Sequence, residues 1–244
     1  MDLRDRLTLS FARRLISTKE GRAHLLNQLA DAESNGENQV FEHVLAHVDD
    51  PRLRKMIEKH QADELRHAEL FRAAVARTGV VPGPVPAHLK LIDRLDKAVG
   101  GFFAQPIEGP RGVMEAYLML QVVEERACAQ FAVFERAFRE AGDGETADVF
   151  AEIARDEERH LKYCHAISKR YAPDEVTRQV TLEKFRTLEA ECFAENSRAN
   201  MDYTFARNWF GGGPIVRGFF RALQSLQQRR GVLPYTQFAA AAAA

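Results

Sequence analysis

The sequence predicts an all-α protein, a four-helix bundle made of two helical hairpins joined by one long crossover, with additional N- and C-terminal helices. Three observations carry that expectation. Apolar residues recur at helical rather than strand spacing through most of the 244 residues. Proline, glycine and aspartate cluster at a few points that cut the chain into helix-sized pieces. A five-residue motif also occurs twice, as Asp63-Glu64-Leu65-Arg66-His67 and Asp156-Glu157-Glu158-Arg159-His160.

Residues 3–17 place Leu3, Leu7, Phe11, Leu15 and Ile16 on one face and Arg4, Arg6, Arg13 and Arg14 elsewhere, a short amphipathic helix that packs on the protein's own core. A long helix is expected from Lys19 to Val48, through Leu26, Leu29, Glu33, Gly36, Val40 and Val44, ending at Asp49-Asp50-Pro51. The next runs from Pro51 to Thr78 with the stripe Leu53, Ile57, His60, Glu64, His67 and Phe71, and stops at Gly79. Pro82, Gly83, Pro84 and Pro86 rule out a continuous helix and open the crossover. Within it, residues 88–99 form a short helix before Gly100 to Gly112 returns the chain.

A third long helix covers 113–141, with Val113, Tyr117, Leu120, Glu124, Ala127, Phe131, Phe134 and Phe138 on its stripe. Gly142-Asp143-Gly144 turns the chain into a fourth over 145–171, carrying Phe150, Ile153, Glu157, His160 and Cys164. After Pro173 a further helix to about residue 208 directs Val176, Val180, Phe185, Leu188, Cys192 and Phe193 inward. Residues 209–214 break it, and a last helix over 215–230 turns Phe219, Phe220, Leu223 and Leu226 to the core before Gly231. One domain spans 1–244, with the four-helix unit at about 19–171 and a helical extension at 172–238; the six final alanines carry no function.

Composition narrows the function classes. With 45% hydrophobic and 28% charged residues this is an ordinary globular chain, and 34 basic against 35 acidic residues leave no excess charge for a phosphate backbone. Cys128, Cys164 and Cys192 are odd in number and far apart, which suits reduced thiols. The first residues alternate charge and apolar character without a signal core, and no apolar run spans a bilayer. The expectation is a cytoplasmic protein with neither nucleic acid nor membrane as partner.

The repeated motif carries the chemistry. Glu and His three apart on a helix stand on one face, one turn from each other, so each copy aims a carboxylate and an imidazole at one point. Glu33 and Glu124 each interrupt an apolar stripe on the helix before a copy. Glu33 precedes Glu64 by 31 residues, Glu124 precedes Glu157 by 33, and the two motif glutamates are 93 apart. With turns at Asp50 and Asp143, each lone glutamate lies about as far before its turn as its partner lies after it, so all reach one level at about 1.5 Å per residue. Glu37 and Glu125 are rivals for the lone positions. Buried carboxylates demand compensation, and two divalent ions would neutralise four of them while imidazoles complete the coordination; oxygen with nitrogen suits Fe, Mn or Zn.

This arrangement resembles the ferritin-like di-iron carboxylate superfamily over about residues 20–171. The resemblance implies six metal ligands, Glu33, Glu64, His67, Glu124, Glu157 and His160, with Glu64 and Glu157 bridging and Asp63 and Asp156 orienting the histidines. It implies two Fe ions, with Mn or mixed Fe/Mn as alternatives, dioxygen as co-substrate, a small organic substrate, an external electron donor and a homo-oligomer. Di-iron arylamine N-oxygenases are similar in having an additional histidine, which would make His60 a seventh ligand; a hydrogen-bonded core histidine is the other reading, and its counterpart in the second half is Ile153. Tyr117, Leu120, Cys128 and Phe131 are the expected substrate-pocket residues. The implied activity is that of a di-iron oxygenase or oxidase. A ferroxidase or peroxide-reducing iron-handling protein, and a non-catalytic helical scaffold, are the alternatives.

Overall fold

Every long apolar stripe forms a helix. The computed structural model describes residues 3–35, 38–101 and 105–229, and among them are nine α-helices, one 3-10 turn and no strand. In order these are α1 (Leu3–Leu15), α2 (Lys19–Asn35), α3 (Asn38–Leu45), α4 (Pro51–Arg77), the 3-10 turn (Ala87–Leu89), α5 (Leu91–Ala98), α6 (Gly109–Glu140), α7 (Gly144–Tyr171), α8 (Glu175–Ala206) and α9 (Pro214–Arg229). No described helix is long and apolar enough to cross a membrane.

The helix starts follow local chemistry. Asp50 caps α4 by accepting from the backbone N–H groups of Arg52 and Leu53, with Pro51 in the first turn where its missing N–H costs nothing. Asp143 caps α7 by accepting from Thr146 N–H, after Gly142 has turned the chain at a φ of 79° that side chains disfavour. Asp174 does the same for α8 through Thr177. These caps set where α4 and α7 begin, and so the level at which their motifs lie.

α6 packs along α7, α2 along α4, and α4 also meets α7; α1 lies on α6, and α8 covers α6 and α5. The core divides into two apolar clusters. One gathers Phe41, Ile57, Tyr117, Leu120, Cys164 and Phe185, the other Leu26, Phe71, Phe131, Phe138, Phe150 and Ile153. In the second, Phe150 is ringed by Phe71, Phe131, Phe134 and Phe138 at centroid distances of 5.3–5.6 Å. Each fully buried side chain of this size contributes about 1.5–3 kcal/mol, enough to hold the helices against the repulsion of polar groups between the clusters. On α4 the segment between Ile57 and Phe71, on α6 that between Leu120 and Phe131, and on α7 that between Ile153 and Cys164 carry those polar groups.

The helix expected over 19–48 is described as α2 and α3, and residues 36–37 lie outside the described residues. Two expectations change. Val176 and Val180 on α8 are exposed, as are Ile215 and Phe219 on α9, while Phe220 is buried. α8 turns Phe185 and Cys192 inward as expected and buries charged residues beside them: Arg186 makes a two-pronged pair with Glu125 of α6, at 2.6 and 2.9 Å, and Glu189 one with Arg126, at 2.7 and 2.8 Å. Apolar spacing cannot find a buried face made of paired charges. The side chains of Leu3 and Leu226, together with Gly231 and the terminal alanines, lie outside the described residues.

This pairing is testable. Arg186→Ala should destabilise the protein by about 3–5 kcal/mol in urea unfolding, because it strands the Glu125 carboxylate in the interior, whereas replacing Glu125 and Arg186 together by Leu and Met should cost far less. Equal losses in both proteins would contradict a buried, mutually dependent pair.

Candidate metal centre

The polar layer between the two clusters contains every ligand residue expected from the sequence. Glu33 comes from α2, His60, Glu64 and His67 from α4, Glu124 from α6, and Glu157 and His160 from α7. Their donor atoms form two groups, His60, Glu64, Glu124 and His160, and Glu33, Glu64, His67 and Glu157, each with all ligand atoms within 4.8 Å of one another.

In the first group His60 Nε2 lies 2.8 Å from Glu124 Oε1 and 3.3 Å from Glu64 Oε1, and His160 Nδ1 lies 3.0 Å from that same Glu64 oxygen. In the second, His67 Nδ1 lies 3.3, 3.6 and 3.7 Å from oxygens of Glu157, Glu64 and Glu33. Glu64 turns Oε1 to the first group and Oε2 to the second. Glu157 likewise presents Oε1 to His67 and Oε2, at 2.8 Å, to His160. Glu64 is therefore common to both groups, and Glu157, a member of the second, also touches a histidine of the first.

Donors about 2.0–2.2 Å from a common ion stand about 3–3.5 Å apart, and the nitrogen–oxygen separations given above run from 2.8 to 3.7 Å around that spacing. Glu64 Oε1 and His67 Nδ1 are buried without a well-aligned hydrogen bond among the described residues, although His160 Nδ1 is 3.0 Å from the first and a Glu157 oxygen 3.3 Å from the second. Atoms that approach without alignment converge on a shared point rather than bonding to one another. Two divalent ions fit that arrangement.

The rest of each motif orients the ligands, and it does so crosswise. His67 Nε2 donates to Asp156 at 3.3 Å, and His160 Nε2 to Asp63 at 3.4 Å, so each aspartate fixes the histidine of the other copy. Arg159 joins both aspartates, at 2.7 Å to Asp63 and 2.6 Å to Asp156, while Arg66 donates to Asp156 and to Glu152. Lys59 adds a contact of 2.5 Å to Asp63. With Nε2 committed, Nδ1 of each ring faces the glutamates. The two arginines escaped the sequence reading, although their presence at one position of both copies was the available signal.

Without metal the layer balances its charge with protons. Burial and then the charge of Glu64 and a hydrogen bond with it hold the Glu33 carboxyl well above the usual carboxylate range. Burial works against the charge of Glu64, but bonding to Glu33 and then the imidazoles outweighs it and keeps Glu64 well below that range. For His67 and His160 burial disfavours the cation, yet neighbouring carboxylates, Glu157 foremost, raise both, His160 to about 9. His60 is pushed down by burial and stays neutral, its ring stacked on His160 at 3.9 Å. Asp63 and Asp156 remain ionised: burial opposes this, but Lys59 and Arg159 around Asp63, and Arg159 and His67 around Asp156, prevail.

The rival positions separate. Glu125 is engaged by Arg186 and Gln121 away from the layer, and Glu37 lies outside the described residues. Of the residues expected to line a substrate pocket, Tyr117 and Leu120 pack in one apolar cluster and Phe131 in the other. Residues 117 to 131 span about 21 Å along α6, on both sides of Glu124. Cys128 is close enough to the layer that burial, then Glu157, pushes its thiol up to about 12. No protein-family model, curated protein or solved structure matches the chain, and its chemistry has to be read from these residues.

A pH dependence follows. His160 is raised from 6.5 to about 9, so its ion pairing stabilises metal-free protein fully below 6.5 and is lost as pH rises through about 9. Urea unfolding of metal-free protein should show stability falling across that window, while metal affinity rises across it because fewer protons compete for the imidazole. Metal-free stability that is flat from about pH 6 to about pH 9 would contradict the pairing.

Proposed function

We propose that the chain is a ferritin-like di-iron carboxylate oxidoreductase that activates dioxygen to oxidise a small organic substrate, with electrons from an external donor. The observation that carries this reading is the pair of buried four-residue donor sets sharing Glu64. The two helix pairings, α2 with α4 and α6 with α7, joined by the connection that contains α5, support a ferritin-like bundle. Glu33, Glu64, His67, Glu124, Glu157 and His160 would hold the ions, with His60 as a seventh ligand. Iron fits this mixed oxygen and nitrogen set, as do manganese and a mixed pair.

When bound, the ions supply the one-electron chemistry toward dioxygen that no side chain here possesses. The chain's own residues do the rest. Four glutamates offset the charge of two divalent ions. Asp63 and Asp156 keep Nε2 of His160 and His67 protonated, so that Nδ1 presents its lone pair to the site. The apolar clusters above and below keep bulk water from the layer and strengthen every electrostatic contact inside it.

Anaerobic loading with Fe(II), then exposure to oxygen, followed by absorption and Mössbauer spectroscopy, tests the proposal. The expected result is two ferrous ions per chain that become ferric together, with iron affinity reduced by at least about tenfold in Glu64→Ala. A wild-type chain that binds no iron pair, or a Glu64→Ala protein that binds it as well, would contradict the reading. Retention of many iron atoms per chain would make iron the substrate instead.

A further inference from the structure

The repeated halves relate Glu33 to Glu124, Glu64 to Glu157 and His67 to His160, and the crossed aspartates obey the same relation. Applied to the first donor group, it turns Glu124 into Glu33, Glu64 into Glu157 and His160 into His67, which are members of the second group. The relation fails at two points: Glu64 belongs to both groups whereas its counterpart Glu157 belongs to one, and His60 has no histidine counterpart. His60, 93 residues before Ile153, has an apolar residue as its counterpart, and Ile153 is fully buried in the phenylalanine cluster.

We infer that the two metal positions are unequal, and that the one built on His60 takes a borderline divalent ion first and more tightly than the one built on Glu33. The inference rests on the proposed di-metal reading and adds an order of assembly to it. The first position offers two imidazole nitrogens, from His60 and His160, with oxygens of Glu64 and Glu124. The second offers one imidazole nitrogen, from His67, and three carboxylates. Borderline ions such as Fe(II) and Co(II) gain affinity with each imidazole, whereas harder ions are content with oxygen.

Rigidity points the same way. His60 is wholly buried, between Phe41 at 4.8 Å and the His160 ring at 3.9 Å between centroids, so it needs little ordering when an ion arrives. Glu33 is the most exposed of the ligands, with 10% of its side chain accessible, and it comes from the last turn of α2. The second position is completed by the residue that is least held. Filling the first also commits Glu64 Oε1, leaving Oε2 facing His67 for the second ion.

Stepwise titration of the metal-free protein with Co(II) tests this, followed by calorimetry and by proton NMR of hyperfine-shifted imidazole N–H signals. The expected result is two steps separated by about tenfold or more in affinity, with signals from two imidazoles at the first equivalent and a third only with the second. His60→Ile, which restores the symmetry, should bring the steps together by weakening the tighter one and leaving the weaker within about twofold. The NMR pattern of the wild type stands by itself if that variant folds poorly. Two ions entering in one step, with all three imidazole signals growing together, would overturn the inference and leave the di-metal reading intact. Failure to bind cobalt at all would overturn both.

Discussion

Four carboxylates lie in one buried layer, and this constraint governs the rest of the structure. Left ionised together, Glu33, Glu64, Glu124 and Glu157 would repel one another where water cannot screen them. The layer answers with protons when no ion is present: Glu33 keeps its own, and His67 and His160 become cations. Two divalent ions in place of those three protons would match the charge of the four carboxylates and satisfy atoms whose contacts are otherwise poorly aligned. The apolar clusters on either side are what make such an exchange worthwhile, since the same groups in water would have no need of a metal.

Much of this was legible in the sequence because helices convert spacing into geometry. The 31- and 33-residue intervals, the capping aspartates at 50 and 143, and the Glu-x-x-His spacing together place six candidate ligand residues at one level. The crossed pairing of Asp63 with His160 and Asp156 with His67 was not legible, because it depends on how α4 and α7 face each other rather than on position along either. The arginines of the motif belong to the same lattice and share that reason.

Other features escaped for different physical reasons. The buried face of α8 includes, beside Phe185 and Cys192, Arg186 and Glu189 matched to Glu125 and Arg126, and a hydrophobic pattern is blind to charges that neutralise one another. That pairing also explains which of two adjacent acids faces the layer: Glu125 is drawn toward α8, leaving Glu124, about 100° around the helix, beside His60.

The most direct measurement of the central claim is crystallographic. Crystals loaded anaerobically with Fe(II) and measured on both sides of the iron absorption edge should show two anomalous peaks per chain, about 3.5–4 Å apart, one among His60, Glu64, Glu124 and His160 and the other among Glu33, Glu64, His67 and Glu157. A fully loaded crystal with no peak in this layer, or with iron bound only at surface carboxylates, would contradict it.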